Sequence, residues 1–246
     1  MPPTLDTTER SRFPTRDPPG EQPSYPFHVR EADIASRDDT RAYIDSYVIE
    51  DDPLTDAREA GRRADVGPIS AAGGAVLRFL AAAIGARSVV EVGTGCGSSG
   101  IWLLRGMRPD AILTTVDIEP EYQEAAREAY RSAGFPANRT RLIQGRGMEV
   151  LPRLTDAAYD MVFIDAVTDE YPAYLAEALR LLRVGGIVVF NNGLDAAPVP
   201  DGPLSVPSAQ QSVREVGRLI REDENLVPLL LPVGEGLLAA IREEAL

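Results

Sequence analysis

Four short stretches put carboxylates, amides and glycines where chemistry could be done. Glu91 sits among Val89, Val90 and Val92 and is followed by Gly93, Gly95 and Gly97. Asp117 closes an apolar run that begins at Ala111, Asp165 closes Tyr159 to Ile164, and the pair Asn191-Asn192 closes Ile187 to Phe190. A buried strand, a glycine-rich turn and a helix N-terminus in succession make a pocket of nucleotide size. Acids and amides at the carboxyl ends of neighbouring strands lie where ligands bind in such sheets.

Those residues converge only if the strands lie side by side, and the chain reads that way. Helical patterns cover Ala32 to Glu50, Leu54 to Ala64 and, after a Ser70 cap, the stripe Val76, Leu77, Phe79, Leu80 and Ile84. Gly85 suits the C-terminal cap of that third helix. Strands and helices then alternate: Val89–Val92 and a helix from Ser98, Ala111–Val116 and a helix at Glu119–Ser132, Arg141–Ile143 and a short helix at Glu149–Leu154. Tyr159–Ile164 precedes a helix at Pro172–Leu182, and Ile187–Phe190 a proline-rich loop and a helix at Ser208–Glu222. Leu226–Leu231 and Gly236–Ile241, four residues apart, form a hairpin. The rhythm predicts an α/β fold, a mostly parallel seven-stranded sheet with helices on both faces and an antiparallel end.

Composition removes several chemistries. All 25 basic residues are arginine, so lysine Schiff bases, a lysine general base and a Walker phosphate loop are excluded. A single cysteine, Cys96, rules out an internal disulfide and a cysteine-rich zinc site. The single histidine, His28, argues against a Ser-His-Asp triad or a multi-histidine metal site. A net charge of -13 argues against nucleic acid. No secretory or membrane-spanning run is present, so the expected location is cytoplasmic, with no membrane partner. Residues 1–30, with seven prolines before position 27, read as a disordered or extended tail, and 31–246 as one domain.

The string Gly95 to Gly100, GCGSSG, matches a dinucleotide fingerprint, with Asp117 as its ribose acid. The frame opposes it: the strand ends at Val92, so Gly93 is the first glycine, and the third then falls on Ser98. The alternative pattern, E-x-G-x-G-x-G with an acid after the second strand, resembles motif I of S-adenosylmethionine (SAM)-dependent methyltransferases. DMVFID (Asp160–Asp165), LLRVGG (Leu181–Gly186), VGPISAAGGAVLRFL, TTVDIEPEYQEAARE and LLLPVGEGLLAA follow in an order similar to bacterial family-3 O-methyltransferases, relatives of catechol and caffeoyl-CoA O-methyltransferases. The resemblance runs from about Arg37 to the C-terminus.

The resemblance implies a Rossmann-like methyltransferase fold, a SAM cofactor, a small hydroxylated acceptor of phenolic or catechol type, and a homodimer. It places Glu91, Gly93, Thr94, Gly95 and Ser99 around the methionine moiety, Asp117 on the ribose, Gly145, Arg146, Gly147 and Met148 around the adenine, and Val66 and Gly67 at the entrance. It gives Asp165, Asn191 and Asn192 as ligands of Mg²⁺ or another divalent cation, and Asp165 and Thr168 as catalytic positions. Two departures weaken the metal and the base: Asn191 stands where the family has aspartate, and Thr168 where it often has lysine. An amide in place of a carboxylate removes a formal charge from the donor set, and an unassisted threonine is a poor base. They leave open a second function, a SAM-binding protein with lost or altered catalysis in a regulatory or assembly role.

Overall fold

The apolar run Ser88–Val92 forms β1, the middle of a seven-stranded sheet ordered β3-β2-β1-β4-β5-β7-β6. Its neighbours are β2 (Ile112–Asp117) and β4 (Tyr159–Ile164), both parallel to it. β3 (Thr140–Gln144) extends the sheet beyond β2, and β5 (Leu182–Phe190) continues it beyond β4. The hairpin of β6 (Leu226–Leu231) and β7 (Leu237–Arg242) closes the sheet, with β7 antiparallel to β5 and inserted between β5 and β6. The structure is a computed structural model and describes residues 37–196 and 208–244. The expected tail at 1–30, His28, the first residues of the first helical pattern and most of the proline-rich loop lie outside the described residues.

Eight α-helices, counted among the described residues, surround the sheet: α1 (Arg37–Tyr47), α2 (Asp52–Arg63), α3 (Ala71–Ala83), α4 (Ser98–Gly106), α5 (Pro120–Ser132), α6 (Gly147–Val150), α7 (Tyr171–Leu181) and α8 (Ser208–Glu222). Side chains alternate across a strand. Val89, Leu113, Phe163 and Val189 therefore pack on one face with Leu77 of α3 and Trp102 of α4. Val90, Val162, Ile164 and Phe190 pack on the other with Leu175 of α7 and Val216 of α8. Each fully buried side chain of this size contributes roughly 1.5–3 kcal/mol. No helix among the described residues is long and apolar enough to cross a membrane.

Caps fall where the sequence placed them. Ser70 Oγ accepts from the amide of Gly73 at 3.0 Å, starting α3, and Gly85 follows its end with φ +59°. Most spans differ from expectation by a residue or two at an end, and two differ more. β5 begins five residues early, at Leu182. Tyr159 pairs with Leu182 and Met161 with Ile187, so the glycines at 185 and 186 are absorbed as a bulge within the strand. The helix after β3 starts at Gly147 and tightens to a 3₁₀ turn over Leu151–Arg153, because Pro152 has no amide to continue it.

Candidate active site

The glycine-rich turn is shaped by three left-handed residues: Gly93 (φ +98°), Gly95 (φ +48°) and Gly97 (φ +91°). A side chain is disfavoured at all three. At Gly93 space forbids one as well, since a Cβ would lie 1.9 Å from the carbonyl oxygen of Asp165. The turn thus crosses directly over the end of β4. Asp117 fixes it from the other side, Oδ2 accepting from the Gly95 amide at 2.9 Å and Oδ1 from the Glu119 amide at 3.0 Å.

Glu91 lies beneath the turn. It is fully buried, and its Oε2 accepts from the Thr115 hydroxyl at 2.6 Å. Thr115 in turn meets the Thr94 hydroxyl at 2.7 Å. Oε1 has no hydrogen-bond partner among the described residues. Burial pushes the carboxyl up to about 7 against the pull of the neighbouring hydroxyls. Glu91 lines neither of the cavities described next, and is linked to the larger one through Thr115 to Thr94 and through Ser99, both of which line it.

Two cavities open at the carboxyl edge of the sheet, of about 550 Å³ and about 220 Å³, and both include Gly93, Asp117 and Asp165. The larger also gathers Val66, Thr94, Gly95, Ser99, Asn191 and Asn192. The smaller gathers Gly145, Arg146 and Gly147, together with Glu170 and Tyr174. Gly147 must be small, since a Cβ there would come within 2.7 Å of the Tyr174 ring. Arg146 approaches Glu170 at 3.7 Å, and Glu170 Oε2 accepts from the Tyr174 hydroxyl at 2.5 Å.

At the junction, Asn191 Nδ2 donates to Asp165 Oδ1 at 3.1 Å, and the Tyr171 hydroxyl donates to the Asn191 carbonyl at 3.2 Å. Asn192, in the left-handed region at φ +58°, turns its Nδ2 to the Tyr171 hydroxyl at 3.4 Å. Enclosure pushes the Asp165 carboxyl up to about 6, while the Asn191 amide pulls it back. Thr168 opens a 3₁₀ turn at Thr168–Glu170 and lines neither cavity. Asp169 accepts from the Ser208 and Ser212 hydroxyls at 3.3 Å and so anchors the start of α8. Among the described residues no three His, Cys, Asp or Glu side chains cluster as a metal site would need.

The chain as a whole is similar to known proteins. The pattern described as O-methyltransferase matches residues 46–243, from the end of α1 through β7. The chain belongs to the O-methyltransferase family. A Mycobacterium tuberculosis H37Rv protein named as an O-methyltransferase is 48% identical over 202 residues, covering 82% of this chain and 90% of its own. The crystal structure of the O-methyltransferase TomG from Streptomyces achromogenes, in complex with SAM, superimposes with a TM-score of 0.74 at 32% identity, covering 84% of this chain and 96% of TomG. An O-methyltransferase from Bacillus cereus in complex with SAH superimposes with a TM-score of 0.74 at 25% identity, covering 83% of this chain and 97% of that one.

The O-methyltransferase also accounts for the misleading third glycine of GCGSSG. Gly100 lies inside α4 against α5, where a Cβ would fall 2.1 Å from the Tyr130 hydroxyl, so its smallness serves helix packing. Sequence reasoning missed several wall residues. Arg58 of α2 lines the larger cavity, as do Tyr122 of α5 and the Gly234-Glu235 turn of the β6–β7 hairpin. A helical arginine and a hairpin turn carry no local signal of facing a pocket. The glycines at 234 and 236, both left-handed at φ +54° and +89°, mark the turn and not its neighbour.

Proposed function

We propose that this O-methyltransferase takes its methyl group from SAM and passes it to a phenolic or catechol-like hydroxyl without a resident divalent cation. The observation that carries the reading is the meeting of the two cavities at Gly93, Asp117 and Asp165. The residues present fit SAM. The smaller cavity, with Gly145, Arg146 and Gly147, suits the adenine. Asp117 suits the ribose hydroxyls at the junction, and Thr94, Gly95 and Ser99 with Val66 suit the methionine moiety. Glu91 supports that wall from behind. When bound, SAM supplies an electrophilic sulfonium methyl group that an acceptor oxygen attacks in line.

The same test goes against a divalent cation. Mg²⁺ and Ca²⁺ favour several hard, mostly anionic oxygens. Asp165 is the one carboxylate of the trio, one of its oxygens accepts the Asn191 amide, and the Asn192 amide is turned to Tyr171. No Lewis acid then lowers the pKa of the acceptor hydroxyl, so the hydroxyl must be acidic in itself. A phenol, with a pKa near 10, is closer to that condition than an aliphatic alcohol. Asp165, on the wall common to both cavities, receives the acceptor's proton, and the amide of Asn191 holds the carboxylate in place. Much of the rate would come from proximity and orientation.

Incubation with labelled SAM and a panel of catechol, 3,4-dihydroxybenzoate and simple phenols, with EDTA or with Mg²⁺, tests this. Methyl ethers forming equally in both conditions are expected. Turnover that vanishes in EDTA and returns with Mg²⁺ would overturn the metal-free reading. Failure of the protein to bind SAM or SAH would overturn the donor.

A further inference from the structure

The ionisable groups on the wall of the larger cavity are unequally divided. Asp117, Asp165 and Glu235 are acids, and among the described residues that line it Arg58 is the one strong cation. The methionine end of SAM is a zwitterion, carrying an ammonium and a carboxylate. The acids complement the ammonium and the sulfonium, and Arg58 is the side chain on this wall that complements the carboxylate. We propose that Arg58 binds the methionine carboxylate of SAM, an inference that rests on the SAM reading above.

The placement of Arg58 supports the role. It sits on α2, one turn before Gly61 and near the loop of Val66 to Ser70, which forms the adjoining wall. Its guanidinium is largely enclosed, with 16% of the side chain exposed, and Nη1 donates to Glu50 Oε2 at 2.7 Å. That contact uses one donor of a fork that can make two parallel bonds to a carboxylate. Arg58 Nε and Glu50 Oε1 are both buried with no partner. A pair built only for stability would close both contacts, since each buried unmatched polar atom is costly. Glu50 instead holds the guanidinium from one side and leaves donors free for a second anion. Another part of the same wall is suited to the same group. Ser98 and Ser99 begin α4 on the cavity surface, Gly97 provides no side-chain cap, and a helix N-terminus favours a carboxylate.

The test compares two ligands by equilibrium titration with no acceptor present: SAH, which carries the amino-acid carboxylate, and 5′-methylthioadenosine, which lacks it. Arg58→Gln is expected to weaken SAH about 10- to 100-fold, the range for a hydrogen bond to a charged group, and to leave methylthioadenosine within twofold of wild type. Arg58→Gln alone strands the Glu50 charge, so the double variant Glu50→Gln/Arg58→Gln is measured beside it, with thermal unfolding confirming that each folds. The double variant is expected to show the same selective loss. Arg58→Lys is expected to recover part of the SAH affinity. Equal losses for both ligands, or no loss for SAH in the folded double variant, would overturn the proposal. If wild-type protein binds methylthioadenosine and SAH equally well, the carboxylate is not recognised at all, and the proposal falls while the SAM reading stands. If wild-type protein binds neither, the SAM reading itself falls.

Discussion

Asn191 and Asp165 meet across the ends of β5 and β4, the amide Nδ2 donating to the carboxylate Oδ1 at 3.1 Å. The contact joins the amide at 191 to the acid on which the proposed chemistry depends. An amide at 191 adds a donor without adding charge, so Asp165 keeps a partner that orients it and does not compete for a proton.

Asn191→Asp should convert this pair into two carboxylates a hydrogen-bond length apart, with Asn192 beside them. Two like charges at that distance repel strongly, and a divalent cation relieves the repulsion. The variant is expected to bind Mn²⁺ or Mg²⁺ at least tenfold more tightly than wild type in calorimetric titration. Its thermal unfolding should become metal-dependent, and that of wild type should not.

Asp117→Asn should separate ligand binding from stability. The amide keeps one acceptor for either Gly95 or Glu119, loses the other, and carries no charge. A loss of roughly 1.5–3 kcal/mol in SAH binding, the range for charged hydrogen bonds, is expected. The accompanying change in unfolding free energy should be about 1 kcal/mol, because these contacts lie on a partly exposed rim.

Gly93→Ala should be far more damaging to the fold. The added methyl would overlap the Asp165 carbonyl at 1.9 Å, and alanine resists φ +98°. A destabilisation of about 3 kcal/mol or more is expected from steric overlap and backbone strain together. The melting temperature reads it directly, and Gly134→Ala, where a Cβ meets nothing within 4 Å but φ is +84°, separates strain from overlap.

Glu91 should make stability depend on pH. Its folded-state pKa is about 7 against an ordinary 4.5, so between those values the folded chain retains a proton that the unfolded chain has released. Stability is then fully present below about pH 4.5 and falls as pH rises through 7. Glu91→Gln should flatten that fall. The difference between wild type and variant in the change of unfolding free energy from pH 4.5 to pH 8 is expected to be on the order of 3 kcal/mol, measured by urea denaturation without ligand.

The sheet was legible because its strands are apolar runs closed by polar residues: β4, β6 and α8 begin and end where the pattern put them, and β1 starts one residue earlier, at Ser88, and ends at Val92 as expected. The bulge in β5 was not legible, because two glycines signal a turn equally well inside or outside a strand. At the site, the strand-end acids and the glycine turn were visible because their roles are local. Glu91 shows the limit. Its place in the pattern put it near the methionine moiety, and the fold adds what the pattern did not carry: the side chain lies under the turn, where its Oε2 accepts from the Thr115 hydroxyl. Arg58 and the Gly234 turn were invisible for a related reason: their position depends on how α2 and the hairpin cross the sheet edge, which no neighbouring residue encodes.

The hairpin turn bears on the order of assembly. A Cβ on Gly234 would lie 2.6 Å from Ser70 Oγ, so the β6–β7 turn closes against the start of α3 and finishes the wall of the larger cavity. β7 also sits between β5 and β6, although it follows both in the chain. A nascent chain lacking β7 would therefore have an incomplete sheet and an open-sided pocket. The hairpin thereby couples completion of the sheet to completion of the pocket wall, so damage at the β6–β7 turn should be felt at the ligand as well as in the fold.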